Sequence, residues 1–202
     1  MAIPEPAKTR LLHLLALLER EGKTLTSTRA EALTGWTRDT IRKDISHLGA
    51  EGGAGSGAGY APESLVPLIR RALALDRKRR CCVVGLGRLG SAYVNYREDA
   101  ANGEFELVAG FDINVNRLEL LSAPVPLYPA YKMGEVISRF GIEIALLCVP
   151  ADAAEAAAEK LAGAGIRGIL NFAPVMLSLP AACVVRNVSV MDELRSLAIK
   201  LP

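Results

Sequence analysis

The sequence predicts an α/β protein in which a parallel sheet with helices on both faces follows a separate helical domain. Residues 7–48 carry apolar side chains at helical spacing, whereas from residue 81 apolar, strand-like runs alternate with helix-like segments. Charge divides the chain in the same way. Residues 1–80 hold 14 Lys and Arg against 9 Asp and Glu, and residues 81–202 hold 10 against 13. This asymmetry indicates two modules with different partners.

Length and composition limit the class of protein. The 202 residues suffice for two small domains, and with 50% hydrophobic and 23% charged residues we expect a folded globular protein. No apolar run reaches the roughly 18 residues that span a bilayer. The start, MAIPEPAKTR, lacks the apolar core of a secretion signal. We therefore expect a soluble, cytoplasmic protein with no membrane partner.

The four cysteines, Cys81, Cys82, Cys148 and Cys183, form no CxxC pair and have no histidine near them in sequence. We therefore expect no metal site. Three of them lie in strand-like apolar runs, where a free cysteine behaves as a small hydrophobic side chain. A redox-active pair at Cys81 and Cys82 is the alternative.

Apolar spacing over residues 7–21 predicts a first helix with leucines on one face. Thr26 or Ser27 is suited to cap a second, short helix, which Gly35 ends. Thr37 is suited to cap a third helix, with the sequence RDTIRKDISHL. Two short helices joined by a glycine-containing turn predict a helix-turn-helix within about residues 13–52.

The third helix is basic on its predicted free face. Ile41, Ile45 and Leu48 have the spacing of a buried stripe, which leaves polar and basic side chains outward. A DNA major groove admits such a helix. The alternative is a helical hairpin with a solvated charged face. The candidate DNA-binding residues are Arg38, Thr40, Arg42, Lys43, Ser46 and, in the glycine-rich stretch that follows, Ser56.

The stretch GAEGGAGSGAGY, at residues 49–60, predicts either a flexible linker or the glycine-rich wing of a winged-helix domain. A basic-ended helix follows it. We predict a helical domain over residues 1–78, a sheet domain over residues 79–186 and a C-terminal amphipathic helix over residues 187–202.

The loop GLGRLG follows a predicted buried strand and opens a predicted helix, as a dinucleotide site requires. Gly85 would make the tight turn, Gly87 would let the backbone approach a pyrophosphate, and Gly90 would pack helix against strand. The pyrophosphate would lie on amide groups at the helix N-terminus, with the Arg88 cation beside it.

The second predicted strand ends at Asp112, 22 residues after Gly90. A carboxylate there accepts hydrogen bonds from ribose hydroxyls and repels a 2′-phosphate, and no basic residue follows until Arg117. NAD(H) is therefore favoured over NADP(H), although Asp112 could instead only cap the next turn. The candidate cofactor-binding residues are Gly85, Leu86, Gly87, Arg88, Leu89, Gly90, Asp112 and, at later strand ends, Val149, Pro150, Asn171 and Phe172.

A cofactor site without evident catalytic groups indicates sensing rather than catalysis. The only histidines, His13 and His47, lie in the front module, and no nucleophile–base pair or carboxylate dyad is evident. The 112 residues after Gly90 can finish a sheet but cannot add a substrate domain. We therefore expect a protein that is not an enzyme.

The ordered motifs resemble those of the Rex family of redox-sensing transcriptional repressors over almost the whole chain. They are IPEPAKTRLLHLLALLE, IRKDISHLG followed by glycines and GY, then GLGRLG, SAYVNY, FD, CVP and NFAP. The resemblance implies a homodimer of winged-helix and Rossmann domains, with the C-terminal helix swapped onto the partner. It also implies that NADH releases operator DNA while NAD+ competes, so that DNA binding responds to the NADH/NAD+ ratio.

The resemblance further implies roles for individual residues. Tyr96 matches a tyrosine near the nicotinamide that helps the switch, and Arg10 matches an arginine of the first helix in the same interdomain network. The adenosine diphosphate half of the cofactor would be held by Gly85, Gly87, Gly90 and Asp112.

The chain departs from the family pattern at two positions. Ser56 stands in the wing where a cation is expected, which removes phosphate or minor-groove contacts. Ser189 stands where the swapped helix commonly has an acidic residue, which removes a charged partner for Tyr96 and Arg10. One alternative is therefore a Rex-like protein that binds DNA poorly. Another is a small NAD-dependent oxidoreductase, or other Rossmann ligand-binding protein, whose helical front serves dimerisation.

Overall fold

The computed structural model of the chain describes residues 3–49, 59–96 and 103–201. The chain divides into two compact units, Met1–Arg77 and Lys78–Pro202, each with its own hydrophobic core. In the described part of the chain, no helix is both long enough and apolar enough to cross a bilayer.

The first unit contains four described helices: α1 (Glu5–Glu21), α2 (Ser27–Thr34), α3 (Arg38–Ser46) and α4 (Pro62–Ala72). The predicted caps are confirmed. The Thr26 hydroxyl accepts the Arg29 N–H at 3.1 Å, and Gly35 ends α2 in the left-handed conformation at φ 73°. The Thr37 hydroxyl accepts the N–H of Thr40 at 3.3 Å and so begins α3.

Helices α1, α3 and α4 share one apolar core, to which each contributes a buried stripe. The stripe of α3 contains Ile41 and Ile45, as predicted, while Leu48 lies beyond the end of the helix and is half-buried. Leu25 and Tyr60 form an antiparallel bridge, exchanging N–H···O bonds of 2.9 and 2.8 Å. Three helices closed by such a bridge have the winged-helix arrangement. Ser56 lies outside the described residues.

The second unit is a Rossmann-type α/β fold. Its described strands form one parallel sheet of six, in the order β3-β2-β1-β4-β5-β6. They are β1 (Arg79–Val84), β2 (Phe105–Asp112), β3 (Leu127–Pro129), β4 (Ile144–Leu147), β5 (Gly168–Asn171) and β6 (Val184–Asn187). In this order the direction of winding reverses between β1 and β4, where ligands bind beyond the carboxyl ends of the strands.

Four helices lie between the strands: α5 (Arg88–Asn95), α6 (Val115–Leu120), α7 (Met133–Phe140) and α8 (Ala151–Gly163). A fifth, α9 (Val190–Ala198), follows β6. The sequence predicts β1, β2, β4 and β5 but not β3 or β6. β4 and β5 lie within the long apolar runs IEIALLCVP and IRGILNFAP, whereas β3 (LYP) lies among prolines and β6 (VVRN) ends in polar residues, so neither is marked by such a run. Residue 187, the predicted start of the last helix, is still in β6.

Helix α9 begins after Ser189, whose hydroxyl accepts the N–H of Asp192 at 3.2 Å. Its apolar side chains face away from the described core. Val190 is 71% exposed, Leu194 52% and Leu197 56%. Their spacing of four and three residues places them on one face of the helix.

A buried amide network fixes the chain after β5. The fully buried Asn171 donates from Nδ2 to the carbonyl of Val175 and to Oδ1 of Asn187, both at 2.8 Å. Its Oδ1 accepts the N–H of Ala173 at 3.0 Å. Asn187 in turn bonds both backbone polar groups of Leu177. The segment that leads to the sheet edge therefore depends on two side chains.

We predict that Asn171→Ala lowers the free energy of unfolding by about 2–3 kcal/mol, because the Val175 carbonyl and the Ala173 N–H lose their Asn171 partner and Asn187 Oδ1 keeps only the N–H of Leu177. Urea unfolding measures the change. The matched variant Asn116→Ala, at an exposed position on α6, should stay within about 0.5 kcal/mol of the parent protein. Equal stability of the two variants would show that the network does not constrain the fold.

Candidate functional site

An open cavity of about 1490 Å³ lies at the carboxyl ends of β1, β2 and β4. Its position is the one at which an open parallel sheet binds ligands. Eight of the candidate cofactor-binding residues line it: Gly85, Gly87, Arg88, Leu89, Asp112, Val149, Pro150 and Phe172.

The three glycines of the loop occupy different backbone environments. Gly85 turns the chain at φ 87°, and a Cβ there would lie 2.6 Å from the Cys148 carbonyl oxygen. Gly87 precedes α5, and a Cβ there would have no atom within 4 Å, so its backbone is open to the cavity. Gly90 lies beneath the loop, where a Cβ would be 1.8 Å from the Gly85 carbonyl oxygen.

Leu86, Gly90 and Asn171 are not on the cavity wall. The Leu86 side chain is buried in a small core with Val83 and Val94. The side-chain amide of Asn171 is hydrogen-bonded within the network after β5. These three residues lie beneath the residues that line the cavity and support them. Direct contact of any candidate residue with a cofactor stays a prediction.

The carboxylate of Asp112 holds the glycine loop in place. It is buried, and its Oδ2 accepts the N–H of Leu86 at 2.7 Å, while its Oδ1 accepts the N–H of Asn114 at 2.7 Å. Arg117 Nη1 donates to the same Oδ2 at 2.9 Å. The carboxylate therefore joins the loop after β1 to the end of β2 and to helix α6.

Burial by itself would raise the pKa of Asp112, but the N–H groups of Asn114 and Leu86 and the Arg117 guanidinium together lower it below the usual value. A carboxyl group with a lower pKa in the folded than in the unfolded chain stabilises the fold above the unfolded pKa of about 3.9. That stabilisation is lost as the pH falls through the folded value.

The sequence does not single out two further cavity residues. Ile113 directly follows β2 and Tyr131 lies two residues after β3, and their side chains are 88% and 81% exposed. That they contact an adenine ring is a prediction. Their position after strand ends was the available signal, but the sequence does not predict β3.

At the other end of the cavity, Val149, Pro150 and Phe172 form an apolar wall. The ring of Phe172 packs against Tyr93, with centroids 4.9 Å apart. Tyr96 lies just beyond α5 and is 68% exposed. Of the two tyrosines in the motif SAYVNY, Tyr93 therefore packs against the apolar wall and Tyr96 is exposed to solvent.

Arg10, the first-helix residue of the predicted interdomain network, has a partner within its own unit. Its Nε and Nη2 donate to the buried Asp44 of α3 at 2.6 and 2.8 Å. The hydrogen bonds to Asp44 raise the pKa of Arg10. This bidentate ion pair fixes α3 against α1, so Arg10 controls the position of the candidate DNA-binding helix. Its role between domains stays a prediction.

The outer face of α3 carries the candidate DNA-binding side chains. Arg38, Arg42, Lys43 and Ser46 are exposed, and the half-buried Thr40 bonds the Thr37 hydroxyl. Arg38 pairs with Glu31 of α2 at 3.1 Å. Such an exposed pair contributes little stability, so Arg38 can exchange its carboxylate for a phosphate at low cost.

Arg42 lies near one acidic and one phenolic side chain. Its Nη1 lies 3.8 Å from Asp39. Burial raises the pKa of Tyr60, and the nearby Arg42 cation offsets part of that increase. Tyr60 also pairs with Leu25 in the antiparallel bridge, so the candidate recognition helix presents a cation towards the residue that closes the bridge.

The cysteine thiols are protonated at neutral pH. Burial raises the pKa of Cys81 to about 12 and that of Cys148 to about 11, and it also raises the pKa of Cys82. A protonated thiol is a poor nucleophile and metal ligand. Within the described residues, no group of three or more His, Cys, Asp or Glu side chains could hold a metal ion.

Comparison with known proteins relates both units to one family. Residues 76–175 match the model of the CoA binding domain family. The chain is 38% identical to the redox-sensing transcriptional repressor Rex of Thermus thermophilus, covering 98% of this chain and 93% of that protein. It is 36% identical to the Rex repressor of Streptomyces coelicolor, covering 97% and 76%.

Solved structures of a Rex-family repressor, RSP, are similar to this chain over almost its whole length. The complex of RSP with NAD+ and operator DNA aligns with a TM-score of 0.85 and 31% identity, over 99% of this chain and 93% of that chain. Its complex with NADH aligns with a TM-score of 0.82 at 28% identity over 99% and 94%.

We predict that Gly87→Ala and Gly90→Ala separate binding from folding. Gly87→Ala should keep the stability within about 1 kcal/mol but weaken NADH binding about tenfold or more, because its methyl group stands where a pyrophosphate must approach. Gly90→Ala should lower stability by about 2–3 kcal/mol, because the loop must move off the helix.

Urea unfolding and titration of NADH fluorescence measure the two effects. Unchanged NADH affinity in a folded Gly87→Ala protein would mean that the pyrophosphate lies elsewhere.

Proposed function

The chain belongs to the Rex family of redox-sensing transcriptional repressors, and on that premise we propose that it represses transcription as an NADH-responsive homodimer. The dimer binds operator DNA, NADH releases it, and NAD+ competes with NADH. The observation that carries the proposal is the pair of related complexes: RSP was solved with NAD+ together with operator DNA, and with NADH. A repressor bound to chromosomal DNA would act in the cytoplasm.

The cavity supports cofactor binding. An open helix N-terminus at Gly87 presents amide groups to a pyrophosphate, and the Arg88 cation lies beside it. Asp112 lines the cavity where the adenosine ribose would lie, and the apolar residues Val149 and Phe172 would line the nicotinamide end. An apolar wall suits a reduced nicotinamide, which is neutral, better than an oxidised one, which carries a positive charge.

We propose that the cofactor is a ligand rather than a reactant. A dehydrogenase usually has a proton donor or acceptor near the nicotinamide. Both histidines of the chain, His13 and His47, belong to the first unit. The wall around Val149 and Phe172 is apolar. These features disfavour the alternative of a small NAD-dependent oxidoreductase.

The apolar face of α9 supports the dimer. Val190, Leu194 and Leu197 would be covered if α9 packed on a second copy of the chain, as the swapped helix of the family implies. Burial of each such side chain is worth about 1.5–3 kcal/mol. Ser189 caps this helix in the monomer, so its hydroxyl takes a structural role at the position where an acidic switch residue is common.

Helix α3 supports DNA binding. Arg42 and Lys43 are exposed on it, and Arg42 lies 3.8 Å from Asp39 of the same helix. In a dimer, two such helices would enter successive major grooves about one turn apart. The sequence of the wing contains no basic residue between Gly52 and Gly59, so we propose that α3 carries most of the affinity.

We propose that redox sensing arises because NADH and NAD+ favour different domain arrangements. A ligand shifts an equilibrium between two states only through its different affinities for them. Tyr96, exposed at the end of α5, is the proposed reporter of the nicotinamide. The reduced ring would stabilise the dimer in which the two copies of α3 no longer match the operator half-sites.

The direct test is a titration of DNA binding with each cofactor, using a duplex selected by the protein from a random-sequence pool. NADH should release the duplex, and NAD+ should shift the NADH titration to higher concentrations. Gly87→Ala should still bind the duplex but lose the response. Equal effects of NADH and NAD+ on DNA binding would contradict redox sensing.

A second prediction concerns the DNA contacts of α3. Arg42→Ala should weaken duplex binding by about 1–3 kcal/mol, and Lys43→Ala should reduce the slope of log affinity against log salt concentration by about 1. The control Lys132→Ala removes a cation from the second unit and should change neither quantity. If Arg42→Ala binds like this control, α3 is not the recognition helix.

A further inference from the structure

The outer face of α3 carries an acidic side chain among its cations. Asp39 lies in the first turn of the helix, and its side chain is 94% exposed. It precedes Arg42, Lys43 and Ser46 by three, four and seven residues, so these side chains share one face of the helix. A carboxylate therefore lies within the face that would meet DNA, which is a polyanion.

The burial pattern of α3 fixes the direction in which Asp39 points. The buried residues of the helix are Ile41, Asp44 and Ile45. With 3.6 residues per turn, Asp39 lies on the side of the helix opposite to the middle of this stripe. The apolar core of the first unit therefore gives Asp39 no packing role.

An acidic residue in a first turn also interacts favourably with the helix dipole. That effect is general, because Glu63 occupies the same position, the second residue, of α4. It does not require the carboxylate to lie beside the cations of an outer face. Glu63 therefore offers a matched control that separates the dipole and the net charge from the position of Asp39.

The Asp39 carboxylate is not held in a tight ion pair. Its Oδ1 lies 3.8 Å from Arg42 Nη1, which is longer than a hydrogen bond. Within the described residues, this carboxylate accepts no hydrogen bond. An exposed pair at this distance contributes little stability. Both carboxylate oxygens are therefore available to a donor on another molecule.

A carboxylate on a DNA-binding face has two opposite effects. Phosphates repel it, so it weakens binding to any sequence that leaves it without a donor. In the major groove it can instead accept a hydrogen bond from a base, and cytosine N4 is the donor that Asp and Glu side chains take. Attraction to one base combined with repulsion elsewhere increases the difference between affinities that defines specificity.

The cations of the face are partly neutralised in the same way. Arg38 pairs with Glu31 of α2 at 3.1 Å, and Arg42 lies near Asp39. A cation that already has an acidic neighbour contributes less to the sequence-independent attraction that counterion release supplies. Discrimination between sequences then depends more strongly on contacts with base edges.

We propose that Asp39 is a specificity-determining residue of α3, which accepts a hydrogen bond from cytosine N4 in each operator half-site and repels phosphate at other sequences. The inference deepens the proposed function, because it rests on α3 as the DNA-binding helix of a homodimer. It adds an acidic residue to the basic side chains of that helix and names the base that this residue recognises.

The experiment selects duplexes from a random-sequence pool with the full-length protein, and then compares the affinities for the selected duplex and for a scrambled duplex. Asp39→Asn should change the preferred base at one position of each half-site from cytosine to adenine, because an amide pairs with adenine N6 and N7. Asp39→Ala should lower the ratio of the two affinities about tenfold. Its affinity for the scrambled duplex should rise, because a repelling charge is removed.

The matched control is Glu63→Gln, which removes one negative charge from the same position of another helix in the same unit. It should change neither the preferred bases nor the affinity ratio. If circular dichroism shows that Asp39→Ala is unfolded, the base preference of Asp39→Asn decides, since the asparagine keeps the size of the side chain. Release of the selected duplex by NADH, measured in parallel, tests the proposed function separately.

The inference is overturned if Asp39→Asn selects the same bases as the parent protein, or if the position that changes is not a cytosine in the parent duplex. It is also overturned if Glu63→Gln lowers the affinity ratio as much as Asp39→Ala does. In each case, DNA binding by the parent protein and its release by NADH would still support the proposed function. A parent protein that selects no duplex would overturn both.

Discussion

The hydrogen bond from the Leu86 N–H to the buried Asp112 carboxylate ties the glycine loop of β1 to the end of β2. The rest of the cavity follows from it. With the loop held there, Gly85 turns against the Cys148 carbonyl, and Gly90 packs directly beneath it. The N-terminus of α5 is then aimed into the cavity, where its amide groups can meet a pyrophosphate. A carboxylate at this position therefore builds the binding site before any ribose contacts it.

An ion pair has the corresponding role in the first unit. Arg10 of α1 binds the buried Asp44 of α3 with two hydrogen bonds. Without Arg10, the buried Asp44 charge would be uncompensated, so the pair holds the helix in one orientation. In both units, a buried carboxylate positions a functional element through a backbone or side-chain donor.

Local features of the structure could be predicted from the sequence, and long-range pairings could not. The caps at Thr26 and Thr37 depend on residues three positions away, so the sequence pattern contains them. The Arg10–Asp44 pair spans 34 residues, and no local pattern encodes it. Arg117 is the first basic residue after Asp112 in sequence, and the turn of α6 returns its guanidinium to the Asp112 carboxylate, which no local pattern predicts. Short strands such as β3 have no periodicity, so the apolar residues near the adenine end were missed with them.

We propose that the cofactor cavity and the DNA-binding helix are coupled through two states of one dimer. Coupling between two ligands is reciprocal, so a factor by which NADH weakens DNA binding must equal the factor by which DNA weakens NADH binding. The most direct measurement is the NADH dissociation constant with and without a saturating selected duplex. We predict that DNA raises this constant by the factor seen in the DNA titrations. An NADH affinity that is unaffected by bound DNA would show that the two sites are not coupled.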